Sequence, residues 1–163
     1  MIYKSIIKMF VRCLIRVYCK IIPVEIGKTQ LMFHSHKLVT PYSQIVQIGQ
    51  TVKLNVDLSQ NIQRQIYFQG SYEPRVTKLI KRILIQGDTF IDIGANVGYY
   101  TVLGSELVGP NGNIHCFEPI QNLYEQTQAN IQLNSLSNVK LNNKAVYREK
   151  INLPIYLPVA GNN

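Results

Sequence analysis

The chain has 163 residues, 46% of them apolar and 16% charged, and a formal net charge of +8. That is enough apolar side chain to bury the core of one domain, and it excludes an intrinsically disordered chain. Its three cysteines, Cys13, Cys19 and Cys116, make neither an even disulfide framework nor a metal cluster, which points to a reducing, cytoplasmic setting.

Residues 1–24 carry Lys4, Lys8, Arg12, Arg16 and Lys20, each four apart, and no acid. At ~100° per residue these cover an arc of roughly 160°, with Tyr3, Ile6, Ile7, Phe10, Leu14, Val17 and Tyr18 on the other side. The spacing predicts an amphipathic basic helix that Pro23 ends. No uninterrupted run approaches the ~18 apolar residues of a membrane span, and charges recur through what would be the apolar centre of a signal peptide. Two readings stay open: a helix docked on its own domain, or one in peripheral contact with an anionic membrane surface. This segment holds +5 of the net +8, so the remaining charge is too thin to point to nucleic acid. Lys78, Lys81 and Arg82 on a later helix also lack the interleaved aromatics of single-strand binders.

From Gly27 to Phe68 the pattern shortens to alternating runs, Gln30-Leu31-Met32-Phe33, Ile45-Val46-Gln47-Ile48 and Val52 to Leu58, with Gly49-Gln50 marking a hairpin. The expectation is a small β-rich appendage. His34 and His36 share one face of such a strand, but no third ligand follows, so no metal site is expected. Ser71 to Leu84 predicts a helix whose buried stripe is Val76, Leu79, Ile80, Ile83 and Leu84, with Gly87 just past its end.

Thr89 to Ile93 then reads as a buried parallel strand interrupted by Asp92. A turn with Gly94 and Gly98 follows, and Val97 to Leu107 carries apolar residues at helical spacing. Strand, glycine turn and helix form the dinucleotide-binding layout. Gly94 allows a tight bend and close ligand approach, Gly98 lets the helix start pack closely, and Asn96 tolerates a left-handed backbone. Asp92 brings negative charge where an NAD-type fold expects a pyrophosphate, which suits a ligand with a cationic end better. Asn113 to Phe117 predicts a second strand ending at Glu118, about 20 residues beyond Gly98, where an acid accepts ribose hydroxyls. The bland alternative is that Glu118 only begins the next helix at Pro119. Gln121 to Asn134 and Asn138 to Leu141 predict a second crossover helix and a third strand, and Ile151 to Leu157 is a further apolar run broken by Pro154.

The stretch Gly87 to Thr101, followed by Phe117-Glu118-Pro119, resembles the FkbM-type class I S-adenosylmethionine-dependent methyltransferases. Tyr67 to Pro74, Asn130 to Asn134 and Ala145-Val146 fit the same pattern, in order. The resemblance implies a Rossmann-like α/β sheet, S-adenosylmethionine as cofactor, and methyl transfer to a hydroxyl of a sugar, glycolipid or secondary metabolite, so that the partner is a small-molecule or glycan acceptor. It implies cofactor contacts at Asp92, Gly94, Ala95, Asn96, Gly98 and Glu118, with Asp92 facing the ammonium directly or through water, and an adenine contact near Asn142, Asn143 and Lys144. Tyr72-Glu73-Pro74 either borders the active cleft or, through Glu73, complements a helix dipole. No residue is assigned as catalytic.

Such a sheet has seven strands ordered 3-2-1-4-5-7-6, of which three can be counted, and the family's later Asp-x-Glu-Gly motif is absent. The expectation is therefore a basic helix at 1–24, a β-rich appendage at 25–70 and a C-terminally incomplete cofactor domain at 71–163. An NAD-type oxidoreductase and a noncatalytic membrane-associated module are the competing classes.

Overall fold

In the computed structural model, residues 2–22, 27–35, 43–152 and 154–156 are described. Helices α1 (Ile2–Ile21) and α2 (Lys28–His34) precede a hairpin of β1 (Ser43–Gln47) and β2 (Lys53–Asp57), then α3 (Asn61–Gln69) and α4 (Pro74–Ile83). The remainder alternates: β3 (Thr89–Ile93), α5 (Tyr99–Val108), β4 (Asn113–Phe117), α6 (Gln121–Leu133) and β5 (Val139–Asn142). β1 and β2 pair antiparallel, Ser43 opposite Asp57 through Gln47 opposite Lys53. β3, β4 and β5 form a parallel sheet in that order, with Asp92 beside Cys116 and Cys116 beside Leu141.

Two apolar clusters hold these parts. The larger joins Ile15 and Cys19 of α1, the hairpin residues Val46, Leu54 and Val56, Ile66 and Phe68 of α3, and Val97, Tyr99, Val102 and Leu103 at α5. The smaller lies between α5 and the sheet, where Val108, Ile114 and Cys116 pack with Phe90. Gly104 makes that contact close, since a Cβ there would stand 2.9 Å from the Phe90 ring.

The described residues between 27 and 70 do not form the β-rich appendage the alternating runs suggested. The hairpin is present, but Gln30 to Phe33 lies within α2, and α3 fills Asn61–Gln69. An apolar run of a few residues does not distinguish strand from helix. His34 accordingly closes a helix, its Nδ1 donating to the Gln30 carbonyl at 2.8 Å, while His36 and Pro23 lie outside the described residues. Nor does this region stand apart, because it shares a core with α5.

The stripe expected to be buried on α4 is mostly open. Only Thr77 and Ile80 are buried, while Val76, Leu79 and Ile83 are exposed, as are Ile91 (57%) and Ile93 (63%) on the adjoining strand. Apolar spacing reports which face of an element is made to be covered, and among the described residues nothing covers these. Parallel sheets are ordinarily covered on both faces, so this face and the edge of β3, unpaired among the described residues, are left open.

Glu106 of α5 holds the hairpin turn. Its carboxylate accepts the backbone N–H of Gln50 (2.9 Å), Thr51 and Val52, and the Thr51 hydroxyl at 2.7 Å. A Cβ on Gly49 would run into that carboxylate, which explains a glycine there. Burial pushes the Glu106 carboxyl up, but the four hydrogen bonds outweigh it and hold the group below its usual range. A depressed folded-state pKa gives stability that is present above the unfolded value of about 4.3 and is lost as pH falls through the folded one. Glu106→Gln should therefore lower stability by about 1–2 kcal/mol near neutral pH and converge with the parent in acid. Denaturant melts at several pH values check this; a penalty independent of pH would remove the charge from the account.

Candidate functional site

At the carboxyl end of β3 the chain turns through three left-handed residues, Gly94 (φ +79°), Asn96 (φ 54°) and Gly98 (φ +82°), before α5 begins. The two glycines serve different ends. A Cβ on Gly94 would meet nothing within 4 Å, so the backbone there borders open space. A Cβ on Gly98 would stand 2.9 Å from Thr127 Cγ2, so that glycine admits α6 against the start of α5.

Four of the five backbone N–H groups from Gly94 to Gly98 are committed inward. Gly94 and Ala95 donate their N–H groups to the Phe117 carbonyl at 2.9 and 3.0 Å, and Gly98 donates to the Ala95 carbonyl at 2.8 Å. Asn96 N–H donates to Glu118 Oε2 at 2.8 Å. From α6, the Thr127 hydroxyl donates to the Asn96 carbonyl at 2.6 Å and Asn130 Nδ2 to the Val97 carbonyl at 2.9 Å. Thr127 and Asn130 were not singled out as site residues, although Asn130 heads one of the resemblance-bearing stretches.

Glu118 follows β4 and is 3% exposed. Besides Asn96, its carboxylate accepts the N–H of Ile120, just before α6, at 2.9 Å. Glu118 therefore ties the segment leading into α6 to the glycine turn. Each oxygen accepts one backbone N–H and keeps a further lone pair. Asn143 and Asn142 stand beside it, Asn143 Nδ2 donating to the Glu118 carbonyl at 3.1 Å and the Asn142 carbonyl accepting Glu118 N–H at 3.0 Å.

Asp92, expected to face a ligand's ammonium directly or through water, is buried at the end of its strand. It is 7% exposed and its Oδ2 accepts the Thr101 hydroxyl of α5 at 2.6 Å. In strand alternation it shares the covered face with Phe90, whereas Ile91 and Ile93 take the open one. Burial pushes the Asp92 carboxyl up and the negative Glu118 adds to this, against the lowering by Thr101. Cys116, in register with Asp92, is likewise pushed up to about 11 by burial and the same carboxylate, which makes it an unreactive thiol at neutral pH.

Beyond the turn, Tyr99 and Tyr100 open α5 and meet Tyr72, with ring centroids 5.1 to 6.2 Å apart. The Tyr100 hydroxyl donates to Glu73 Oε2 at 3.2 Å, and Glu73 itself holds a left-handed φ of 42°. Burial first, and the Glu73 carboxylate with it, push the Tyr100 hydroxyl well above its usual value, so it remains protonated. The Tyr72-Glu73-Pro74 motif is therefore carried to the start of α5, beside the glycine turn. The cleft of about 480 Å³ lined by Ser105, Glu106, Asn134 and Asn138 lies at the other end of α5, away from these residues. Ligands of open α/β sheets bind beyond the carboxyl ends of the strands, which favours the Gly94 end.

Because the folded-state pKa of Asp92 lies above the unfolded value of about 3.9, the native state keeps its proton longer. Its contribution is fully present below the unfolded pKa and is lost as pH rises through the folded value. Asp92→Asn should remove that loss and raise the melting temperature near neutral pH, with the gap closing in acid. Thermal melts across pH read it directly; an equal gap at every pH would contradict the assignment.

The residues fit an S-adenosylmethionine site, with open space at Gly94 for a close backbone contact and a buried carboxylate at Glu118 retaining acceptor capacity for ribose hydroxyls. The sequence matches protein-L-isoaspartate(D-aspartate) O-methyltransferase (PCMT) over residues 26–145. No curated protein sequence matches. Among solved structures, a SAM-dependent methyltransferase from Aquifex aeolicus is 25% identical, with 50% of this chain and 41% of that one covered at a TM-score of 0.39. A SAM-dependent O-methyltransferase from Thermotoga maritima is 20% identical over 60% of this chain and 40% of that one, at 0.43. A protein-L-isoaspartate O-methyltransferase is 23% identical over 46% and 24%, also at 0.43. The chain thus spans less than half the length of these solved structures. β3 to β5 with α5 and α6 form part of a Rossmann-like class I methyltransferase sheet, whose cofactor is S-adenosylmethionine, and the chain belongs to the protein-L-isoaspartate(D-aspartate) O-methyltransferase family.

Proposed function

We propose that this chain is the cofactor-binding part of an S-adenosylmethionine-dependent O-methyltransferase of FkbM type, acting on a hydroxyl of a sugar, glycolipid or secondary metabolite. The observation that carries the cofactor assignment is the inward commitment of the turn. The N–H groups of Gly94, Ala95, Asn96 and Gly98 all donate within the protein, leaving none of these four for the pyrophosphate an NAD-type site must hold. What the turn offers instead is open space at Gly94 and the acceptor oxygens of Glu118, which suit a cation and ribose hydroxyls. The FkbM type rests on the string Gly87 to Thr101 with Phe117-Glu118-Pro119, and on the placement of Tyr72-Glu73-Pro74 against Tyr99 and Tyr100.

Bound S-adenosylmethionine supplies an electrophilic methyl carbon on a sulfonium. The turn from Gly94 to Gly98, fixed by Thr127, Asn130 and Glu118, gives a rigid edge against which an aminoacyl end is held. Glu118 accepts the ribose hydroxyls and Asn142 and Asn143 border the adenine. Asp92 acts through Thr101 and the buried field beneath the turn rather than as a direct ligand. The family match favours a second acceptor, the carboxyl oxygen of an isoaspartyl peptide, and assays with both acceptor classes separate the two readings.

Titration with S-adenosylhomocysteine and with NAD tests the cofactor: the first should bind and the second should not. Glu118→Gln keeps one acceptor oxygen and should weaken S-adenosylhomocysteine by about 1.5–3 kcal/mol, and Gly94→Val should abolish binding by filling the open space and straining a left-handed residue. Binding of NAD alone, or unchanged affinity in the Glu118 variant, would refute the assignment.

Acceptor alignment belongs, in this reading, to strands paired with the free edge of β3. The chain alone should then show no methyl transfer and should aggregate through that edge. Adding the complementary half of a full-length relative in trans should raise solubility first and turnover second. A soluble, monomeric and active 163-residue protein would end this part of the proposal.

A further inference from the structure

Helix α1 is docked on the domain by a narrow face. Val11, Ile15 and Cys19 enter the larger core, and the Arg16 guanidinium sits 4.8 Å above the Tyr67 ring. The opposite side is an open apolar stripe. Tyr3 (75% exposed), Ile6, Ile7, Phe10 (64%), Leu14, Val17, Tyr18 and Ile21 (69%) all face solvent. At ~100° per residue they occupy one arc of roughly 120° that no polar residue interrupts, along a length of about 27 Å. Monomeric proteins seldom expose a contiguous apolar surface on this scale, several hundred Å².

The charge around the stripe identifies what covers it. Residues 1–24 hold five basic groups and no acid, so pairing α1 with a second copy of itself would set like charges together. Lys20 is exposed on one flank of the stripe. Aromatic rings within the stripe and the exposed Lys20 at its margin match the boundary between acyl chains and anionic headgroups. No helix among the described residues is long and apolar enough to cross a membrane.

We propose that α1 lies in the plane of an anionic bilayer interface, its Tyr3 to Ile21 stripe among the acyl chains and its basic flank at Lys20 beside the headgroup phosphates, holding the domain at a membrane surface. This stands independently of which acceptor is methylated.

The test is flotation of the full chain with phosphatidylcholine vesicles, with and without roughly a third phosphatidylserine. Flotation separates lipid-bound chain from any aggregate. The chain should partition at least about tenfold more strongly into the anionic vesicles, less so as salt rises. Phe10→Ser combined with Leu14→Ser changes only exposed side chains and should cut binding on the order of tenfold or more, with unchanged circular dichroism. Equal partition into both vesicles, partition into neither, or undiminished binding of the serine variant would each overturn the proposal. A parent dimer that the serine variant splits, with no lipid binding, would assign the stripe to self-association and overturn it too.

Discussion

The side-chain amide of Asn130 is the contact on which the arrangement of this chain depends. Its oxygen accepts the Asn55 N–H at 2.7 Å while its nitrogen donates to the carbonyls of Asn55 at 3.3 Å and Val97 at 2.9 Å. One turn further, Asn134 repeats the device with Lys53, accepting its N–H and donating to its carbonyl, both at 2.7 Å. Residues four apart on a helix and two apart on a strand have nearly the same spacing, about 6–7 Å, so two asparagines can read a strand edge as another strand would. The edge of β2 is thereby closed, and the carbonyl leaving the glycine turn is held by the same side chain. Asn130 is fully buried with its polar atoms partnered, the condition under which a buried amide specifies structure instead of weakening it.

The glycine turn was legible because backbone chemistry writes it directly. Gly94, Asn96 and Gly98 are residue types that tolerate a left-handed backbone, and all three adopt it. The parallel strands and their crossover helices followed from apolar spacing over lengths sufficient to fix the period. Less legible was anything that depends on what lies opposite. The stripe of α4 and the face of β3 have the spacing of buried surfaces and are open, while the run at Gln30 to Phe33 is too short to choose between periods. The partnership of Asp92 with Thr101 joins residues whose pairing no local pattern marks.

The case of Asp92 separates a sound conclusion from its first reason. In the sequence its charge argued against a pyrophosphate; in the structure that charge is turned under the turn and bonded to a hydroxyl. A pyrophosphate is instead disfavoured by amides already donated to Phe117, Ala95 and Glu118. Two buried carboxylates, Asp92 and Glu118, close enough to raise the pKa of the first, impose an unfavourable field that a cationic ligand relieves. Natural sites tolerate such a cost where binding recovers it.

The bonds from Asn130 and Asn134 to the hairpin span 75 and 81 residues of chain. During synthesis at roughly 5–20 residues per second, the edge of β2 leaves the ribosome some 4–15 seconds before the side chains that close it. For that interval the hairpin carries unpaired backbone groups beside the apolar residues Leu54 and Val56, and it cannot complete its core until α5 and α6 arrive. Pausing of translation between these segments would prolong the exposed state, and should lower the yield of folded chain.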